Sequence, residues 1–359
     1  MKFSPCGLAT GIGSLPHTDP AAAVSIVKEF FPVIPHWPQL PKSSAKEFYY
    51  TQFLQVLLDL ELLKVEKGTR ACFLDEEPDW PERLAGFYDL YLRATEGDES
   101  ALRRFAFSPG AAEGFYHFCR ELQRSRLETA RYLKGQVVGL LTAAFQITDQ
   151  KGVPSYYNPM LRDVILKQLS LQALWQVRTL SSFGLPVMIF MDDPVIDSYG
   201  RYDRIGVDRG DVQDALAEFA SCVRSAGGIA GVHSCSDLDW SLLLEADIDV
   251  ISFDAYQFAD SFLLFPEHLE KFLERGGVVA WGIVPTVGKA ISGEDAASLR
   301  GRMRRLLQDL VDKGVTARLL YTQSLITPAC GAGTLTEPQA ERIYSLTAEL
   351  SNEWKAIID

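Results

Sequence analysis

The chain has 359 residues, 47% of them apolar and 23% charged, enough to bury a large core, on the order of 75% of the unfolded surface. Lys and Arg number 35 against 47 Asp and Glu, a net charge of -12 that repels polyanions and argues against nucleic acid as a partner. No apolar run approaches the roughly 18 residues a bilayer span needs, the start MKFSPCGLATG lacks the charge and apolar pattern of a leader, and six Cys in so long a chain make no disulfide framework. A cytoplasmic protein with reduced thiols is expected.

In chain order, GLATGIGSLPH at 7–17 reads as a short strand ending in a Gly/Ser loop, and a helix opens at DPAAAV with Asp19 as its cap and Pro20 in its first turn. A weak strand is expected near 32–37, followed by helical stretches at 44–66, 81–95 and 109–134, which make the first third mostly helical. Strands and helices then alternate. The predicted strands are 135–143, 185–193, 227–235, 248–255, 276–285 and 317–324; the helices are 159–182, 211–226, 238–246, 259–275, 294–313 and 336–354. The strands are runs of Val, Ile, Leu and Ala rather than strict alternations, as parallel strands covered by helices should be. With the strands at 8–14 and 32–37 they number eight, which predicts an α/β fold: one (β/α)8 TIM barrel over 1–359 with N-terminal helical elaborations. A doubly wound open sheet is the alternative, but GIGSLPH has neither the third glycine nor the lysine of a nucleotide-binding loop.

The polar residues of these strands gather at their carboxyl ends, the face on which a barrel carries its site. Asp192 and Asp193 end FMDDP, His233 and Cys235 end GVHSC, Asp254 ends VISFD, and Cys330 follows LLYTQ. His233 and Cys235, two apart on an extended segment, can face the same way. Imidazole, thiolate and carboxylate are the ligands zinc takes in tetrahedral geometry, and two thiolates favour holding a further soft ligand over activating water. A thiol held there loses its proton and stays nucleophilic, so it can attack an electrophilic methyl group. The bland alternative is a core cysteine and a histidine capping a strand end. Cys119 and Cys222 read as packing residues, Cys6 and Cys72 are undecided, and Trp37 and Trp281 could stack on a flat donor or simply pack. His17 and His36 could face the same mouth, and Glu76 and Glu77 either add an ammonium contact or form a solvated turn.

Six segments occur in an order that resembles the C-terminal catalytic domain of cobalamin-independent methionine synthases, within the uroporphyrinogen decarboxylase-like superfamily. They are GIGSLPHT (11–18), KGQVVGLLT (134–142), MIFMDDP (188–194), HSC (233–235), DIDVISFD (247–254) and TPACG (327–331). The resemblance implies a zinc-dependent methyltransferase acting on a small thiol, homocysteine giving methionine. His233, Cys235 and Cys330 would be metal ligands, with Asp254 in the position of the family's Glu, and these three with Asp192 would form the catalytic set. Ile12, Gly13 and Ser14 would hold the amino-acid part of the acceptor, Asp192 its ammonium, with Asp193 available for the same contact, and Thr142 would lie beside the methyl donor.

Two departures leave the donor open between methyltetrahydrofolate and methylcobalamin on a separate corrinoid protein. Asp254 is a methylene shorter than Glu, and WGIVPTVGK lacks the family's proton-relay histidine, which matters because an amine leaving group needs protonation. Methylation of another thiol from a corrinoid donor, and a decayed zinc- or thiol-binding barrel, are the competing readings. A uroporphyrinogen decarboxylase-like activity would call for arginines that the N-terminal segment lacks.

Overall fold

The computed structural model describes residues 3–66, 69–108, 110–124, 128–199 and 206–358. The described residues form nine strands: β1 (Leu8–Ala9), β2 (Leu63–Glu66), β3 (Arg70–Phe73), β4 (Leu133–Val138), β5 (Val187–Asp192), β6 (Ile229–Ser234), β7 (Val250–Phe253), β8 (Val278–Val284) and β9 (Ser324–Pro328). Seven form one sheet in the order β1-β9-β8-β7-β6-β5-β4, with every pairing parallel. This TIM-barrel-like sheet curls into an open half-barrel. β2 and β3 make a separate antiparallel hairpin.

The two faces of the sheet bury different things. Ile189, Met191, Ile251, Val279 and Trp281 join the main core under the helices, whereas Met188, Phe190, Val250, Val278, Ala280 and Leu325 form a smaller cluster on the concave face. Trp281 is a packing residue of the helix-covered side, its Nε1 donating to Ser324 Oγ at 2.8 Å. Trp37 packs likewise among Phe107 and Phe115 and donates to Gln176 Oε1 at 2.9 Å.

The eighth position, expected as a strand at 32–37, holds a bridging segment instead. His36 makes one parallel bridge to Lys134, and Gln39 one to Ser14. The backbone N–H of Trp37 donates to the Lys134 carbonyl at 3.2 Å and that of Gln39 to the Gly13 carbonyl at 3.1 Å. Pro32, Pro35 and Pro38 lack the donors that a continuous ladder requires. The segment therefore touches β4 on one side and the loop that follows β1 on the other, without extending the sheet.

Other boundaries moved for identifiable reasons. The periodic stretch 44–66 is two short 3-10 turns, Ala45–Glu47 and Thr51–Phe53, then a helix Gln55–Asp59 and β2. The buried Glu47 carboxylate breaks its regularity by accepting from the backbone N–H groups of Leu40 (2.9 Å) and Glu113 (2.8 Å). The run 317–324 is a helix, Ala317–Thr322, and the strand follows it, which brings Cys330 to within two residues of the end of β9. The run 135–143 splits into β4 and a helix Leu140–Gln146. That split is set from the next strand: the Asp193 carboxylate accepts from the backbone N–H of Leu141 (2.8 Å) and Thr142 (2.9 Å) and from the Thr142 hydroxyl (2.6 Å). It satisfies donors that a helix start leaves open. The helix at 20–30 has the expected cap, Asp19 accepting from Ala21 N–H at 2.9 Å.

Gly139 makes the Asp193 contact possible, because a Cβ there would lie 2.1 Å from Asp193 Cβ. Replacing Gly139 with Ala should therefore displace the cap and destabilise the protein by about 1–3 kcal/mol. Thermal denaturation measures this, and an unchanged midpoint would show that the cap is dispensable.

Candidate metal centre and cavity

Strand register builds the site. Val138 pairs with Asp192, Asp192 with His233 and His233 with Ser252, so these four stand at one level on the concave face of β4, β5, β6 and β7. Just past the ends of β6 and β9, Cys235 and Cys330 arrive beside His233. Ligand atoms of His233, Cys235 and Cys330 all lie within 4.8 Å of one another.

The histidine is prepared for a ligand. Its Nδ1 is 2.9 Å from Ser252 Oγ, and its buried Nε2 has no hydrogen-bond partner among the described residues. With Nδ1–H donating to the serine, Nε2 offers a lone pair toward the two sulfurs, the arrangement that orients metal-binding imidazoles. The proximity of the two sulfurs lowers the Cys235 thiol and, together with burial, holds the Cys330 thiol well above the ordinary range, while His233 pulls the latter down. Zinc bonds of about 2.0–2.3 Å place tetrahedral ligands within roughly 4 Å of one another, so the donor set and its convergence suit that ion.

The Cys330 loop is fastened to the first loop of the chain. The Ala332 N–H donates to the Ser14 carbonyl at 3.0 Å and the Gly333 N–H to Ser14 Oγ at 3.2 Å. A Cβ on Gly331 would fall 2.2 Å from that hydroxyl, so only glycine lets the two loops approach this closely.

A cavity of about 550 Å³ opens over the cluster, a size suited to small ligands. Ile12, Ser14, Thr142, Asp192, His233, Cys235 and Cys330 lie on its wall. Three other expected residues do not share it. Asp193 is turned into its helix cap, and Gly13 packs against the Gln136 amide, to which a Cβ would come within 2.7 Å. The Asp254 carboxylate caps its own helix, accepting from Gln257 N–H at 2.9 Å and Gln257 Nε2 at 2.5 Å, and it lies outside the converging trio. Thr142 faces the cavity with its hydroxyl already committed to Asp193.

Asp192 is different, since its Oδ1 is buried without a partner. Burial pushes its carboxyl up to about 6, against the pull of Lys134 and His233. Lys134, on the same strand face below, donates from Nζ to the Ile12 carbonyl at 2.5 Å and stands 4.7 Å over the Phe190 ring. Burial brings its ammonium down to about 8.

Among the remaining candidates, His36 turns away from the mouth: Tyr344 O–H donates to its Nε2 at 2.9 Å, and its Nδ1 lies 3.0 Å from the Trp37 carbonyl. His17 is buried off the cavity wall, its pKa lowered by burial. Glu76 sits in a solvated turn, paired with Lys151 at 2.9 Å. Burial pushes the Cys119 and Cys222 thiols up to about 12, as packing residues require. Cys72 donates weakly to backbone carbonyls, and Cys6 is exposed.

Several wall residues were not anticipated, among them Gln39, Phe48, Tyr49, Phe53 and Gln136, together with Lys134 below and Ser252 behind the histidine. Starting β4 at 135 left Lys134 outside the strand and so hid its two-residue spacing from Gln136 on a buried strand, which was the available signal.

No protein-family model matches the chain, and no curated protein matches it. Among solved structures it is similar to a B12-independent methionine synthase from Shewanella sp. W3-18-1 in complex with selenomethionine. The two share 15% identity over 67% of each chain, with a TM-score of 0.48.

Two outcomes follow from this geometry. Ser252→Ala should weaken zinc binding about 10- to 100-fold by freeing the His233 ring, measured by competition with a chromogenic chelator; undiminished affinity would remove Ser252 from the centre. The carboxyl of Asp192 is raised in the folded protein above its unfolded value near 3.9, so it favours folding below that value and loses the contribution as pH rises through about 6. Asp192→Asn should accordingly stabilise the metal-free protein above pH 6, by about 3 kcal/mol at most, and change little below pH 4. Urea denaturation across that range tests the sign.

Proposed function

We propose that the protein is a zinc-dependent methyltransferase that moves a methyl group onto the sulfur of a small thiol, with homocysteine giving methionine as the reaction. The observation that carries this reading is the buried, unpartnered Nε2 of His233 set beside two thiols at the wall of a ligand-sized cavity. His233, Cys235 and Cys330 would hold the ion, and a zinc ion there would supply the Lewis acidity that keeps an acceptor thiol deprotonated near neutral pH. Asp254 would act as a neighbouring carboxylate whose charge the site senses, since its bonds to Gln257 occupy both oxygens.

The chain's own residues do the positioning. Ser252 fixes the imidazole, Ser14 fastens the Cys330 loop, and Asp193 holds the start of the helix bearing Thr142 on the donor side. Asp192 would receive the ammonium of the acceptor, Ile12 and Ser14 would flank its backbone atoms, and Phe48 and Tyr49 would shield the opposite side from water. Both reactants are then held over the same mouth, where proximity replaces a bimolecular encounter. The S–CH3 bond forms as the bond between methyl and donor breaks, and the thiol proton is released to solvent.

The whole chain would act as one barrel-like unit in the cytoplasm on small molecules, with methyltetrahydrofolate or a corrinoid protein carrying methylcobalamin as the donor. Zinc-loaded protein incubated with homocysteine and each donor in turn should form methionine with one of them, and metal-depleted protein should form none. Cys235→Ser and Cys330→Ser should lose both zinc and activity while keeping the native circular dichroism spectrum. Activity that survives metal removal would overturn the proposal; methylation from neither donor would leave a zinc- or thiol-binding role.

A further inference from the structure

Gln136 is a polar side chain, 1% exposed, in the middle of β4, on the concave face. Its amide cannot be turned around freely. Nε2 donates to the Trp37 carbonyl at 3.3 Å, so Oε1 is the atom left over, and Oε1 is buried without a partner while the residue lies on the cavity wall. Gly13 lies directly against this amide, so close that a Cβ there would come within 2.7 Å of it. The strand beneath is equally fixed, because Gln176 on the helix Pro159–Ser181 donates from Nε2 to the Gln136 carbonyl at 3.0 Å and accepts from Trp37.

One diagonal step away across the β4–β5 register stands Asp192, whose Oδ1 is also buried, unpartnered and on the same wall. Two acceptors without donors cost free energy when no ligand or water meets them, about 1–3 kcal/mol for each neutral group. The described residues that line the cavity include no Lys or Arg. The nearby Lys134 ammonium attracts Asp192 electrostatically, but the hydrogen bond it makes is to the Ile12 carbonyl, and Asp192 Oδ1 and Gln136 Oε1 have no partner. A ligand group that brings several N–H donors and a positive charge satisfies both acceptors at once; a carboxylate or sulfonate satisfies neither.

We infer that Gln136 is a specificity-determining residue, whose Oε1 acts together with Asp192 to select ligands carrying a protonated primary amine. The inference extends the methyl-transfer reading by defining the class of acceptor thiol, and it can hold or fail independently of methyl transfer.

Calorimetric binding to the zinc-loaded protein separates the two. Three probes suffice: homocysteine, its amine-free counterpart 4-mercaptobutyrate, and the sulfur-free 2-aminobutyrate. Gln136→Met, which keeps the volume and removes the acceptor, should weaken homocysteine and 2-aminobutyrate roughly tenfold and leave 4-mercaptobutyrate unchanged. Gln136→Glu, which keeps an acceptor, should retain the preference for the amine-bearing thiol, and it provides the test if the Met variant does not fold. Equal weakening of all three probes, no change in any, loss of the preference in the Glu variant, or no binding of amines by the wild type would each overturn the assignment. Loss of discrimination in the Met variant, together with absent methyl transfer from every donor, would uphold the amine site and overturn only the transfer reaction. Methyl transfer that proceeds with equal affinity for aminated and amine-free thiols would do the reverse.

Discussion

The hydrogen bond between His233 Nδ1 and Ser252 Oγ holds the candidate centre together. It exists because β6 and β7 pair in the one register that puts the two residues side by side on the concave face. A shift of one residue would turn His233 to the helix-covered side, and no adjustment of loops could then return its ring to Cys235 and Cys330. The register is itself secured by the outward-facing residues of the same strands, Val232, Ile251 and Phe253 among them, which belong to the main core. Metal-binding competence therefore rests on ordinary apolar burial a residue away.

The adjacent aspartates show how strand alternation divides labour between residues of identical chemistry. Asp192 ends β5 facing the cavity, and one oxygen is left open. Asp193, next in the chain, points to the other side and meets three donors at the start of the helix Leu140–Gln146. The sequence FMDDP cannot say which does what, because both readings need only a carboxylate at a strand end. The answer lies in Gly139, which vacates the space that Asp193 enters.

Much of the architecture was legible. Runs of Val, Ile and Leu between amphipathic stretches located β5, β6, β7 and β8 to within about two residues, a margin usual for element ends, and the placement of His233 and Cys235 at a strand's carboxyl end was visible from the pattern alone. What was not legible depended on individual contacts and missing donors that composition does not report. The stretch 317–324 is as apolar as a strand but forms a helix, and the strand lies beyond it. The segment at 32–37 has strand-like residues, yet its prolines limit it to isolated bridges. Asp254 stands at the strand end where it was expected, and Gln257, one helical turn later, donates to both its oxygens. In each case composition described the environment correctly, and a specific hydrogen bond or missing donor decided the outcome.

The concave face also explains why the polar residues of β4 matter. A closed apolar filling there would have been simpler to stabilise, and Met188, Phe190, Val250 and Leu325 do fill the lower part. Above them Lys134, Gln136 and Asp192 are buried with their hydrogen-bonding capacity distributed unevenly: Lys134 is anchored to Ile12, Gln136 is half used by Trp37, and Asp192 keeps Oδ1 free. The unsatisfied capacity increases toward the cavity. Buried polar atoms without partners occur elsewhere too, at Gln168 and Gln172 for example, so what sets Gln136 and Asp192 apart is that both lie on the cavity wall. The gradient from anchored to open places the unspent capacity where a ligand arrives, so the stability forgone by the free protein becomes available as binding energy, directed by Gln136 and Asp192 toward the group that can meet both.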